Sequence, residues 1–222
     1  MSATTDRAGS DATRRAGDHW PAYYDVTVDR PPWGTLLDAL DRFEAEDAAA
    51  GEAIRREPRL AVDLGCGAGR DARELLRRGW RVVAVDREPQ AIVRLRAAAA
   101  PGDLPRLSTS VEDIGGVRVP ACRLVTACLS LPFLAADGWS RAWDQIRAAV
   151  RPGGRIAAIV FGDRDASAPD PDMTCPSPDA IRDLLAGFEI ERWDEREEPE
   201  GRTALGEPHH FHVIELVARR PA

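Results

Sequence analysis

Apolar residues return at helical spacing in Leu36, Leu37, Leu40 and Phe43, directly after Pro31-Pro32, and predict a helix ahead of the first strand. From there short apolar runs alternate with amphipathic stretches. Leu60 to Leu64 reads as a strand, and Ala72, Leu75 and Leu76 mark a helix that stops at Gly79. Val82 to Val85 is a continuous apolar run, the pattern of a strand buried on both faces. Ala91, Ile92 and Leu95 predict the next helix, Leu104 to Ser108 a short strand, and Leu124 to Leu129 another. Trp139, Trp143, Ile146 and Val150 share one helical stripe that ends at Arg151-Pro152-Gly153-Gly154, where a turn should lead into a strand from Ile156 to Phe161. Gly162 to Pro178, rich in Asp and Pro, is a loop longer than a compact domain usually keeps unless it covers a site. A helix from Pro178 to Ala186 and strands at Phe188 to Trp193 and His210 to Ala218 complete the pattern. Strands alternating with helices predict βαβ units and a largely parallel sheet.

Composition narrows this picture. With 222 residues, 44% hydrophobic and 30% charged, the chain fits one globular α/β domain. Residues 1–18 are polar and mixed in charge and read as a disordered tail; 19–222 form the domain, within which 19–50 are an N-terminal lid and helix region. The formal charge of −7 opposes binding of nucleic acid by counterion release. Neither a signal peptide nor a membrane span is visible, so a cytoplasmic monomer or homodimer without nucleic-acid or membrane partners is expected. Every cationic side chain except histidine is arginine, which excludes lysine Schiff-base chemistry. Cys66, Cys122, Cys128 and Cys175 lack metal-ligand spacing and are expected to be reduced thiols, with no metal bound.

The chemistry concentrates in Val62-Asp63-Leu64-Gly65-Cys66-Gly67-Ala68-Gly69-Arg70, at the junction of the first strand and its helix. Glycines there permit the positive φ of a tight turn and close approach of a ligand to the backbone, as in a nucleotide site. The dinucleotide fingerprint would need its third glycine where Arg70 stands, so the NAD register fails. Asp63 would oppose a pyrophosphate but favour a ligand carrying an ammonium or sulfonium. Asp86 ends the second strand about 20 positions after Gly65, next to Arg87, where a carboxylate can accept hydrogen bonds from ribose hydroxyls. In Ser110-Val111-Glu112-Asp113-Ile114 an acid can accept from an adenine amine while an apolar neighbour covers the ring, and Glu112 competes with Asp113 for that role.

With the Cys128-Leu129-Ser130 end of the fourth strand and the Arg-Pro-Gly-Gly turn, this set resembles the class I S-adenosylmethionine-dependent methyltransferases over most of 59–161. The string Gly65 to Asp71, Tyr23-Tyr24, Arg30-Pro31-Pro32 and the histidines of the last strand are similar to the tellurite-resistance and thiopurine branch. The resemblance implies a Rossmann-like, doubly wound sheet of order 3-2-1-4-5-7-6 with the seventh strand antiparallel. It also implies S-adenosylmethionine over the first two strands: Gly65, Cys66, Gly67 and Gly69 along the methionine and ribose, Asp63 toward the amino group, and Asp86 on the ribose. Asp113 and Ile114 would flank the adenine, and Cys128 would give backbone near the methionine.

Methyl transfer from a sulfonium needs a base only when the acceptor is not already ionised. The candidates are His209, His210 and His212 with Tyr23 and Tyr24; His210 and His212, which share a strand face, and Tyr24 are retained, while at least two of the histidines are expected to be ordinary strand-surface residues. Arg30 could pair with a carboxylate of the cofactor or acceptor, and Trp33 could anchor the same lid. A small-molecule acceptor is expected; a protein or RNA acceptor, or cofactor binding without turnover, are the alternatives.

Overall fold

The computed structural model describes residues 20–50 and 59–222; the expected tail at 1–18 lies outside them. A short helix α1 covers 20–27, followed by α2 (Gly34–Ala50), β1 (Leu60–Leu64), α3 (Arg70–Arg77), β2 (Arg81–Asp86), α4 (Pro89–Ala98), β3 (Leu107–Val111) and β4 (Cys122–Cys128). Then come α5 (Ala136–Ala149), β5 (Val150–Phe161), α6 (Pro178–Leu184), β6 (Glu189–Arg202) and β7 (Pro208–Arg219). The seven strands form one sheet of order β3-β2-β1-β4-β5-β7-β6, parallel except for β7, which runs antiparallel to both neighbours.

Side-chain alternation along the central strands sorts two cores onto the two faces. Val62 and Leu64 of β1 join Val125, Ile156 and Val160 under α5, whose Trp139, Trp143 and Ile146 form the buried stripe read from the sequence. Ala61, Ala84 and Ala157 face the other way, and their small side chains let α2, α3 and α4 pack close through Leu40, Phe43, Leu75, Leu76 and Leu95. Asp63 shares the Ala61 face and so is delivered toward α3 rather than toward α5.

The structure differs from the sequence reading at three elements. Leu104–Arg106 is a 3-10 turn and β3 starts at Leu107, because Pro105 lacks the N–H a strand partner would use. Arg151-Pro152-Gly153-Gly154 does not end one element before another. It is a bulge inside β5: Cys122 pairs with Val150 and Leu124 already with Arg155. Gly153, at φ 69°, lets that bulge turn, and the Arg220 guanidinium donates to the carbonyls of Arg147 and Val150 at the end of α5. β6 runs to Arg202, well past Trp193, because an edge strand can be polar on both faces and gives no alternating pattern there.

Arg155 is buried in the α2 core, 2% exposed, and its guanidinium lies 4.5 Å from the Phe43 ring centroid. It donates to both carboxylate oxygens of Glu191 on the edge strand and to Glu46 of α2. One buried cation thus ties α2, β5 and β6 together. Removing one member of a buried ion pair leaves its partners uncompensated. Arg155→Met is therefore expected to cost about 3 kcal/mol, the low end for such pairs since Glu46 is partly solvated. A urea denaturation series reads this as a lower midpoint at unchanged slope; a midpoint equal to wild type removes the role.

Candidate active site

A cleft of about 940 Å³, counted to its open mouth, lies over the carboxyl ends of β1, β2 and β4. Its floor is the glycine turn. Gly65, Gly67 and Gly69 all have positive φ, at 72°, 52° and 84°. At Gly65 the requirement is double, because a Cβ would stand 2.2 Å from Cβ of Ser130, whose hydroxyl donates to the Leu64 carbonyl at 2.6 Å. At Gly69 a Cβ would meet Leu95 Cδ1 at 2.2 Å, so that glycine serves the packing of α4 on the turn.

Three carboxylates converge on this floor, each nearly excluded from solvent: Asp63 at 3%, Asp71 at 5% and Asp86 at 7% exposure. Asp86 Oδ2 accepts from Gly67 N at 2.8 Å and Oδ1 from Glu88 N at 2.9 Å, so the strand-end acid shapes the turn while each oxygen keeps lone-pair capacity. Asp71 Oδ1 accepts from Trp33 N at 3.0 Å, and Oδ2 lies 3.5 Å from the Thr126 hydroxyl. Among the described residues, Asp63 Oδ2 has no hydrogen-bond partner although it is buried. Burial raises all three carboxyls above the ordinary aspartate range; for Asp63 the charges of Asp71 and Asp86 add to the rise. Arg70, stacked 3.9 Å from the Trp33 ring centroid, is the cation that opposes this at Asp63 and Asp71.

The wall facing the turn comes from α1. Tyr24 is 3% exposed, and its ring would lie 3.4 Å from a Cβ on Gly67. Trp20 stacks on Tyr24 at 6.2 Å and meets Phe133 edge-on at 5.2 Å. The segment is fastened by Arg73, which donates to the Val28 carbonyl, and by Arg94, which pairs with Asp25. The lid region read from the sequence is therefore packed against the cleft.

Most of the expected site residues meet here. Asp63, Gly65, Cys66, Gly67, Gly69, Asp86, Arg87, Asp113, Ile114 and Cys128 all line the cleft. Glu112 does not; it is exposed beside the Ser110 hydroxyl, so of the two acids only Asp113 reaches the wall. Arg30 is also exposed and outside the lining, while Arg70 and Arg87 are the arginines that reach the cleft. The Cys128 thiol contacts the hydroxyls of Thr35 and Thr126, and burial pushes it up toward the protonated form.

The retained base candidates fare differently. Burial and the charges of Asp86 and Glu88 push the Tyr24 hydroxyl up, which keeps its proton on and makes the ring a wall. His212 is fully buried away from the cleft: Nδ1 accepts from Arg164 N, and Nε2 pairs with Glu195. His210 pairs with Glu197 at the sheet edge. Asp71, Leu129 and Ser130 had no role in the sequence reading yet line the cleft. Asp71 carried a signal, since it sits four residues before Leu75 on the buried stripe of α3, where an acid needs a partner. Leu129, at φ 55°, carried none; its strained backbone becomes visible only in the folded turn after β4.

Comparison with known proteins follows the same lines. A profile of the Methyltransferase domain family matches residues 61–154. Methyltransferase ptaI of Pestalotiopsis fici is 30% identical over 163 residues, 65% of this chain, and the chain spans only 42% of that relative's length. The crystal structure of TehB from Haemophilus influenzae superposes with a TM-score of 0.62 at 17% identity, over 79% of this chain and 62% of that one. The Burkholderia thailandensis 1,6-didemethyltoxoflavin-N1-methyltransferase, crystallised with 1,6-didemethyltoxoflavin and S-adenosylhomocysteine, gives 0.59 at 19% identity over 100% and 94%. At such identities the two structures bear on the fold alone. Residues 61–154 thus carry a methyltransferase domain, and the strand order and glycine turn are those expected from the resemblance to the class I S-adenosylmethionine-dependent methyltransferases.

Proposed function

We propose that this protein binds S-adenosylmethionine in the cleft and transfers its methyl group to a small-molecule acceptor. The observation that carries the reading is the unpartnered Asp63 Oδ2 among three buried carboxylates at a glycine turn. Such a site disfavours phosphates and suits a ligand with two cationic centres, an ammonium and a sulfonium. Bound there, S-adenosylmethionine supplies an activated methyl group on a good leaving group. The chain's own part is to hold and to desolvate. Asp63 would receive the ammonium, Asp86 the ribose hydroxyls through its remaining lone pairs, and Asp113 with Ile114 the adenine. Tyr24 and Trp20 exclude water from the mouth. The same aromatic lid favours a small acceptor, since a protein or RNA segment would have to displace it.

Calorimetric titration with S-adenosylmethionine, S-adenosylhomocysteine and NAD in parallel tests the cofactor: the first two are expected to saturate the site and NAD to leave it untouched, whereas binding of NAD alone overturns the reading. Asp86→Asn should weaken S-adenosylmethionine binding by about 1.5–3 kcal/mol, or about 10- to 150-fold in Kd, through loss of a charge-assisted hydrogen bond. Unchanged affinity would remove Asp86 from the ribose.

The carboxyls predict a pH dependence whose sign follows from their shifts. In the free protein they are held above the ordinary range, so part of the population is protonated in mild acid. A bound cation favours the ionised form and lowers them again. Binding should therefore release protons, and affinity should rise with pH through the window above the ordinary aspartate value and fall on acidification. Titrations in two buffers of different ionisation enthalpy measure the release; a proton count of zero throughout that window would contradict it.

A further inference from the structure

S-adenosylmethionine carries a carboxylate as well as its ammonium and sulfonium. A cleft lined by Asp63, Asp71, Asp86, Glu88 and Asp113 repels that group unless a cation meets it. Arg70 and Arg87 line the same cleft. Arg87 stands 3.9 Å from Glu88, with its guanidinium 6.0 Å from the Trp20 ring centroid. Arg73 of α3 lies outside the lining, its donors taken by the carbonyls of Gly69 and Val28. Arg70 differs from both. Among the described residues its guanidinium makes neither a hydrogen bond nor an ion pair, although it is half-buried and stacked on a ring. A guanidinium in such a place is completed by an anion.

Its position is fixed from below. The Trp33 ring centroid lies 3.9 Å from the guanidinium carbon, and the Trp33 N–H donates to Asp71 Oδ1 at 3.0 Å, so a buried acid anchors the ring that carries the arginine. Stacking occupies a face of the guanidinium and leaves the N–H groups at its edge, in the planar fork that matches the two oxygens of a carboxylate. Arg70 is also the first residue of α3, where a basic side chain works against the helix dipole and an anion is favoured. The counterpart stands close by: Asp63 accepts from the Ala72 N–H in the same first turn, feels the positive charge of Arg70, and keeps Oδ2 without a partner among the described residues. An ammonium and a carboxylate on one carbon need an acid and a base of this kind side by side. In the sequence, Arg70 takes the place of the third glycine of a dinucleotide fingerprint, so the residue that breaks that fingerprint is the one that brings the cation.

We propose that Arg70, held flat by Trp33, is the specificity-determining residue that selects a cofactor whose amino-acid end keeps its carboxylate, while Asp63 beside it receives the ammonium. This rests on the methyltransferase reading above and deepens it by assigning the anionic part of the cofactor. Arg70 touches the ligand, and Trp33 is a positioning residue that acts through Arg70. The role expected of Arg30 from the sequence passes to Arg70, since Arg30 is exposed outside the lining.

Calorimetric titration of the full chain with two ligands tests this. One is S-adenosylhomocysteine; the other is its decarboxylated analogue, S-adenosyl-3-thiopropylamine, which keeps the adenosine, the thioether and the amine. Wild type should bind S-adenosylhomocysteine about 10- to 150-fold more tightly than the analogue, the range for a hydrogen bond between charged groups. Arg70→Gln should lose most of that preference. Its affinity for S-adenosylhomocysteine falls, while the analogue, whose amine no longer has a cation beside it, binds as in wild type or more tightly; this retained binding also certifies the fold of the variant. Arg70→Lys keeps the charge without the planar fork and should keep part of the preference. Trp33→Leu leaves the N–H to Asp71 in place and should narrow the preference while still binding the analogue; an undiminished preference there removes Trp33 from the positioning role. Equal affinity of wild type for the two ligands, or equal weakening of both in Arg70→Gln, overturns the Arg70 assignment and leaves the cofactor reading standing. Wild type that binds neither ligand overturns the cofactor reading as well.

Discussion

Burying three carboxyls around one glycine turn is the constraint around which this structure is arranged. Asp63, Asp71 and Asp86 repel one another in a site almost closed to water, and each must be held by something other than solvent. Asp86 is held by the N–H groups of Gly67 and Glu88, which fixes the shape of the glycine turn. Asp71 is held by the N–H of Trp33, which fixes where the chain enters α2. Arg70 stacked on Trp33 brings a positive charge to the same place. The lid, the turn and the first helix after it are thus fastened by the groups that make the site acidic, and Asp63 keeps one oxygen free of the arrangement.

The sheet makes such a concentration of charge affordable. Its two faces are dry, and its parallel strands bring Asp63, Asp86 and the segment after Cys128 to one edge. A similar division appears across the β5–β7 end. Arg155 is buried midway along β5 and joins α2 to the edge strand, while the Asp165–His209 pair stands just beyond the carboxyl end of β5. The Arg155 guanidinium is thus held by carboxylates of two elements, while the Asp165–His209 pair sits at the carboxyl edge of the sheet.

Legibility differed between elements for physical reasons. Buried strands and amphipathic helices were visible because a dry environment demands apolar side chains at fixed intervals, as with Val82 to Val85 and the Trp139–Trp143–Ile146 stripe. The outer half of β6, from Asp194 to Arg202, was invisible because its partner β7 supplies backbone hydrogen bonds without asking for apolar side chains. The Arg-Pro-Gly-Gly segment announced a turn, but only pairing with β4 shows it as a bulge within one strand. At the site, the glycines, Asp63 and Asp86 were legible because spacing alone puts them on a strand–turn–helix. Asp71 and Ser130 were not assigned a role, since their partners lie at Trp33 and Leu64, distant in sequence.

By itself, then, the sequence determined the order of strands and helices, the glycine turn, and the acids at the ends of the first two strands, all of which depend on neighbours within a few residues. The tertiary structure decided what depends on contacts across the chain. It brought α1 over the cleft and left Arg30 and Glu112 outside the lining. It also sorted three neighbouring histidines: His212 into a buried contact with Glu195, His210 onto Glu197 of the edge strand, and His209 onto Asp165 beside Phe161 and Phe211. Local pattern fixes which face of a strand a side chain takes, but whether that face meets solvent, a carboxylate or a ligand is set by the segment that packs against it.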